Sequence, residues 1–239
     1  MSADDGWRRL VGAVAVAVAV AVVLSASGCS GQETAAGSGG TAAKETEGRT
    51  LSHEELRRLA FRADEVPNSH GSPVQSPAPT PERTFPPVSD ASCQNVLDVL
   101  AADDASAVVR QVFNWQDDLW GGGSTLASYE GEGAERAFDR LREGLRTCRS
   151  YTGVSYAGTY TTEVTGVDAP QEEQVGDEAL TFRTTTPTKD GMVMHQDHVF
   201  VRTGKATAAF RKTEADREAT FPRELVQRQV DRLAEAQGS

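Results

Sequence analysis

The densest local set of chemically able side chains is His195-Gln196-Asp197-His198. Imidazoles beside a carboxylate are the raw material of a metal site or an acid–base pair. The flanking residues alternate as a strand does, which places His195 and Asp197 on one face and His198 on the other. Two histidines on opposite faces cannot share an ion without a bulge, so the cluster reads as a solvated or hydrogen-bonded strand. A second group, Gln171-Glu172-Glu173 with Asp177-Glu178, is acidic but lacks the alternating carboxylates and closing Glu of a calcium loop. The run Gly121-Gly122-Gly123 has no Lys-Ser/Thr after it, so it is a hairpin turn and not a phosphate cradle. No GxSxG or HExxH occurs. The sequence therefore assigns no catalytic residue, no metal ligand and no cofactor, and the chain reads as a non-enzyme.

Three cysteines remain. Cys29 follows Arg8-Arg9, an apolar run of about 15 residues from Leu10 to Leu24, and the small residues Ser25-Ala26-Ser27-Gly28. A basic start, an apolar middle shorter than the ~20 residues of a stable span, and a small-residue exit make a signal peptide. The exit resembles the lipobox of bacterial lipoproteins, with Ala26 at the position where Leu is usual and Leu24 two residues further out. That resemblance implies a cleaved leader over residues 1–28, a lipid on the Cys29 thiol and attachment to the cytoplasmic membrane from its outer side. Residues 29–50 begin with a Gly-, Ser-, Thr- and Ala-rich stretch, the composition of a flexible tether. Cys93 and Cys148 are then an even pair in an exported domain, most simply a disulfide. It would close about 55 residues and contribute roughly 3–4 kcal/mol in the chain-entropy view. A reactive thiol or metal pair is the alternative, but no CxxC occurs and no histidine is near either cysteine.

Charge narrows the partners. The 35 acidic residues exceed the 24 basic ones, giving a formal net charge of -11. An acidic surface repels phosphate backbones and anionic headgroups, so nucleic acid is excluded and membrane attachment falls to a lipid.

The elements that must position these residues follow from periodicity. Ser52 with Glu55 makes a capping box for a short helix to about Arg62, within a helical segment 51–67. Prolines at 67, 73, 77, 79, 81, 86 and 87 make 68–88 an extended connector. A denser domain is expected over 89–239. In it Cys93–Leu100 reads as a helix, and Ala105–Trp115 as a strand with Ala107, Val109, Phe113 and Trp115 on one face. Ser124–Tyr129 pairs back on it. Gly133–Arg149 is a helix whose stripe is Ala134, Phe138, Leu141, Leu145 and Cys148. Four strand-like runs follow, from Tyr156, Leu180, Met192 and Ala206, separated at Asp168-Ala169-Pro170, Lys189-Asp190-Gly191 and Thr203-Gly204-Lys205. Phe221-Pro222 opens a last helix faced by Val226, Val230 and Leu233. Strands in runs predict an α+β domain, an antiparallel sheet with helices 133–149 and 222–236 on one face.

The run Leu51-Ser52-His53-Glu54-Glu55-Leu56-Arg57-Arg58-Leu59 leading to Ala63-Asp64-Glu65-Val66-Pro67, the Pro-rich gap before Cys93, Tyr129 and the helix ending at Cys148 resemble a known group. They are similar to the sensor-type domains of actinobacterial lipoproteins related to the extracellular domain of the mycobacterial serine/threonine kinase PknH. The resemblance covers most of 51–236. It implies helices on an antiparallel sheet and a cleft for an unidentified ligand. Two departures stand out: cysteines for one disulfide where the kinase domain has two, and no kinase domain, so any signalling falls to a separate partner. The aromatics Phe113, Trp115, Trp120, Tyr129, Tyr151, Tyr156 and Tyr160 read either as core or as pocket lining. Trp115, Trp120, Tyr129 and Tyr156 are the candidates for a ligand or contact surface. Three functions stay open: a tethered module binding an unknown small molecule or envelope protein, an adaptor with a filled core, and an enzyme whose site is assembled from dispersed residues. The first two part on whether a solvent-connected apolar cavity lies between the long helix and the sheet; His195 or His198 paired with a carboxylate beside a cleft would favour the third.

Overall fold

The computed structural model describes residues 48–75, 85–116, 118–168 and 175–238. The leader, Cys29, nearly all of the tether, much of the Pro-rich connector and the acidic residues 171–174 lie outside them. Eight strands form one antiparallel sheet: β1 Ser69–Gly71, β2 Ala107–Trp115, β3 Gly122–Ser128, β4 Ser150–Ser155, β5 Gly158–Asp168, β6 Glu178–Pro187, β7 Val193–Thr203 and β8 Ala206–Ala215. Their order is β1-β2-β3-β8-β7-β6-β5-β4. Four helices complete the fold: α1 His53–Leu59, α2 Ala91–Ala101, α3 Gly133–Thr147 and α4 Arg223–Gln237. The α+β class expected from the run order is what the chain adopts.

The helices do not share one face. Alternation divides the central strands: Leu126, Ala208, Phe210 and Val201 join a core with α1 and α4, while Ala127, Ala209, Phe200 and Phe182 join one with α2 and α3. The reason lies in the strands themselves. Both faces of β3, β7 and β8 carry apolar side chains, so each face must be covered. The expected pairing of helices 133–149 and 222–236 on one side is thereby corrected. Each of them instead pairs with a shorter helix.

The segment read as a separate helix is part of the core. Leu51, Leu56, Ala60, Phe61 and Val66 are buried against β2, β3, β8 and α4. The Ser52–Glu55 capping box forms, with Ser52 Oγ accepting from Glu55 N and Glu55 Oε2 accepting from Ser52 N at 2.8 Å. Part of the connector also builds the sheet, for Ser69–Gly71 pairs with the outer edge of β2, a place where nearby prolines are tolerated. Gln111 locks this segment down. Its buried amide donates to Phe61 O and Ser72 O and accepts from Phe61 N.

Five strands, not four, follow α3. The run from Ser150 turns at Tyr156-Ala157, with Ser155 paired to Gly158, whose φ of 105° suits glycine. That turn carries no Pro, Asn or Asp, and the alternation continues through it. The glycine run is also displaced: Gly122 and Gly123 lie within β3, and the turn precedes them. A side chain at Gly122 would strike Arg211 O and the Trp115 ring.

Candidate functional site

A cleft of about 660 Å³ lies on the α2–α3 face. One wall is α2, through Val96, Leu97 and Leu100; the floor is the sheet from β2 across to β4. Why α2 stands where it does is local. Asp90 caps it, accepting from Cys93 N at 2.9 Å. Gly144 of α3 lets α2 approach, since a side chain there would meet Val96 and Ser92 O. The Cys93–Cys148 disulfide then ties the first turn of α2 to the end of α3, as the cysteine count predicts, and both cysteines reach the cleft. The cavity left open between the long helix and the sheet is not where this cleft lies: its helical wall is the short α2 and not the long α3.

The floor is built in cross-strand rows. In one, Val112, Gly123, Arg211, His198 and Phe182 are successive register partners on β2, β3, β8, β7 and β6. His198 stacks on Phe182, ring centroids 4.5 Å apart, and its Nε2 lies 3.4 Å from Thr184 Oγ1. Burial, with the Arg211 charge beside it, pushes the His198 pKa down to about 3, so its imidazole is neutral. Burial also lowers the Arg211 pKa. Arg211 nonetheless presents a large accessible area. Protein surrounds it while the cleft keeps its surface wet, so the two facts agree. Among the described residues no hydrogen bond or ion pair engages its guanidinium.

Toward the β4 edge the floor is polar but mutually paired. Thr162 and Thr186 hydroxyls lie 2.8 Å apart, and the Tyr151 hydroxyl bonds to Thr162. Desolvation raises the Tyr151 pKa above its ordinary value, so this phenol is neutral. Tyr160 meets Tyr151 edge-on at 6.3 Å and lies across Gly153, where a side chain would clash with its ring. Gln196 Nε2 reaches Thr213 Oγ1 at 3.4 Å. The remaining cation, Arg110, donates to Ala101 O at the end of α2. Among the described residues no Asp or Glu lines the cleft.

The four candidate surface aromatics fall elsewhere. Trp115 packs on the opposite face, against Phe113 and Phe221 and beneath Lys212. Trp120 is 44 % exposed in the β2–β3 loop, and Tyr156 is 76 % exposed at the β4–β5 turn, edge-on to Phe85. Tyr129 is 2 % exposed, its hydroxyl 3.4 Å from Thr207 Oγ1. Of the wider aromatic set, Tyr151 and Tyr160 are the two that line the cleft. Sequence reading missed Arg211, Gln196, Thr162, Thr184 and the Leu97–Leu100 wall. His198 was noticed only as half of a failed metal pair. The sheet does put His195 and Asp197 opposite His198: Asp197 accepts from Phe221 N at 2.9 Å, on the α4 side. Among the described residues no cluster of three His, Cys, Asp or Glu side chains could hold a metal. Asp177 and Glu178 of the acidic group are ion-paired to Arg202, at 3.1 and 2.8 Å.

No protein-family model matches the chain, and no curated protein matches it. Among solved structures it is similar to the extracellular domain of PknH from Mycobacterium tuberculosis, with a TM-score of 0.58 and 13% identity. The match covers 78% of this chain and 98% of that one. At that identity the likeness concerns the fold. A STAR-related lipid transfer protein from Xanthomonas axonopodis matches at 13% identity over 56% of this chain and 90% of that one, but its TM-score of 0.27 carries no argument.

Proposed function

We propose that this protein is a lipid-anchored lipoprotein on the outer side of the cytoplasmic membrane, whose domain captures a small molecule in the α2–sheet cleft and performs no chemistry on it. The single observation that carries this reading is the cleft itself. Its volume falls within the ~300–1,000 Å³ typical of small-molecule sites, and apolar walls with a few polar groups are what such sites use. The adaptor alternative gives this cleft, which lies beside the α2–α3 core, no role. The solved structure that shares the fold is an extracellular domain, in keeping with the leader and with a disulfide. Among the described residues no helix is long and apolar enough to cross a membrane. We assign attachment to Cys29 on the lipobox-like exit of the leader.

Two measurements test the two halves. Cys29→Ala should move the protein from the membrane fraction to the soluble one; unchanged retention would make the apolar run itself the anchor. Native mass spectrometry of residues 44–239, purified from the host, should show a co-purifying small molecule. A bare mass, with no thermal stabilisation by envelope extract, would favour the adaptor.

A further inference from the structure

The cleft has a charge asymmetry that the whole molecule does not share. The chain carries 35 acidic residues and 24 basic ones, yet among the described residues the cleft is lined by Arg110 and Arg211 with no carboxylate. The two arginines differ. Arg110 spends a donor on Ala101 O at 2.5 Å. Arg211 meets no acceptor among the described residues, although it sits mid-sheet beneath α2. Its neighbours in the row leave it accessible: Gly123 offers no side chain, and His198 is a neutral ring held against Phe182. A guanidinium has five donors in a planar fork suited to a carboxylate or phosphate, and this one opens onto the cleft. Around it the surface turns apolar, through Val96, Leu97, Leu100, Val112, Phe182 and Ala209.

From this arrangement we propose that Arg211 is the anion anchor of the cleft, holding the carboxylate or phosphate head of an amphipathic ligand whose apolar part lies between α2 and the sheet. The inference deepens the reading of the cleft as a ligand site and rests on it. It also explains why the row is built as it is. A second cation beside Arg211 would repel it and a carboxylate would neutralise it. His198 avoids both by staying uncharged. The overall negative charge sets the ligand's route: long-range repulsion is screened within about 8–10 Å in salt, so recognition is a short-range event inside the cleft.

The test is calorimetric titration of residues 44–239, a compact unit carrying both cores, with decanoate, decyl phosphate, decanol and inorganic phosphate. The two anionic amphiphiles should bind, and decanol should bind about tenfold more weakly or worse, the scale of a charge-assisted hydrogen-bonded contact. Inorganic phosphate alone should not bind measurably, because it lacks the apolar part. Arg211→Met should lower decanoate affinity to the decanol level and leave decanol unchanged, while Arg211→Lys should keep part of the preference. Leu97→Trp, which narrows the apolar wall from a half-buried position, should weaken decanol and decanoate alike. Equal wild-type affinity for decanoate and decanol, or decanoate binding untouched in Arg211→Met, would overturn the anchor while leaving the cleft as a binding site. Binding unaffected by Leu97→Trp would place the amphiphile outside the cleft and overturn both. Free phosphate binding as tightly as decyl phosphate would overturn the amphipathic class and leave a plain anion site.

Discussion

His198 shows how burial on one face of a strand sets a residue's chemistry. Its ring stacks on Phe182, and its pKa falls to about 3 because burial, and then Arg211, disfavour the charged form. An unfolded chain protonates the same ring near 6.5. Between those values the unfolded state binds one proton more than the folded state, so stability falls as pH drops through 6.5. One such group contributes a slope of up to about 1.4 kcal/mol per pH unit. Carboxylates whose pKa values are lowered, among them Glu65 beside Arg232 and Asp90 beside Ser92, add their own loss only below the ordinary carboxylate range near 4. Asp103, whose pKa burial raises, acts in the opposite sense as pH falls, so the histidine's share between pH 6.5 and 5 is read against a variant. His198→Gln should flatten the stability curve there, read from urea midpoints at pH 7, 6 and 5. An unchanged slope would mean that the folded protein accepts the proton without cost.

At the scale of elements, what repeats was legible and what is shared between elements was not. The stripe of α3, the capping box of α1 and the opening of α4 each follow from one segment's own pattern and stand where the pattern puts them, while the β2–β3 hairpin forms with its turn ahead of Gly122. The cleft does not follow, for a physical reason. A strand face lining a wet cavity alternates polar and apolar residues as a strand face in bulk solvent does. Thr162, Thr184, Gln196 and Arg211 all look like solvent-facing positions, yet Thr162 and Thr184 are buried and Arg211 faces the cleft. The available signal was the missing acid. In a chain so rich in Asp and Glu, the neighbouring strand faces over the cleft carry none among the described residues, while Glu178 further along that face of β6 is taken by Arg142 and Arg202. The disulfide was legible by counting. It joins elements 55 residues apart and, in the chain-entropy view, stabilises by about 4 kcal/mol. Replacing Cys93 and Cys148 together by Ala should lower stability by about 3–4 kcal/mol in chemical denaturation. It should also raise hydrogen exchange in α2 more than in α4, because α2 is held by the staple and α4 packs on the other face. Uniform loosening of both helices would show that the bridge supports the whole fold and not the wall of the cleft.

For the whole molecule, the boundary of the cooperative unit is the quantity that a reading of local patterns places too far downstream. A Pro-rich gap looks like a linker, and the dense pattern resumes near Ser89. Yet the α4 side of the sheet has a second layer only if residues before that gap supply it. Leu51, Leu56, Phe61 and Val66 cover Val109, Phe113, Leu126 and Phe210, and Arg232 of α4 is ion-paired to Glu65. Gln111 fastens the strand to this layer by three hydrogen bonds to backbone. A chain beginning at Ser89 would leave four large apolar side chains of the sheet open to water, at about 1.5–3 kcal/mol each, and would orphan the Gln111 amide. That sum is comparable to the whole ~5–15 kcal/mol by which a domain is stable. Residues 44–239 should therefore unfold in one reversible transition, while residues 89–239 should be insoluble or bind a hydrophobic dye without a thermal transition. If the shorter chain unfolds cooperatively with a midpoint within a few degrees of the longer one, the N-terminal layer is an accessory to the fold and not half of a core.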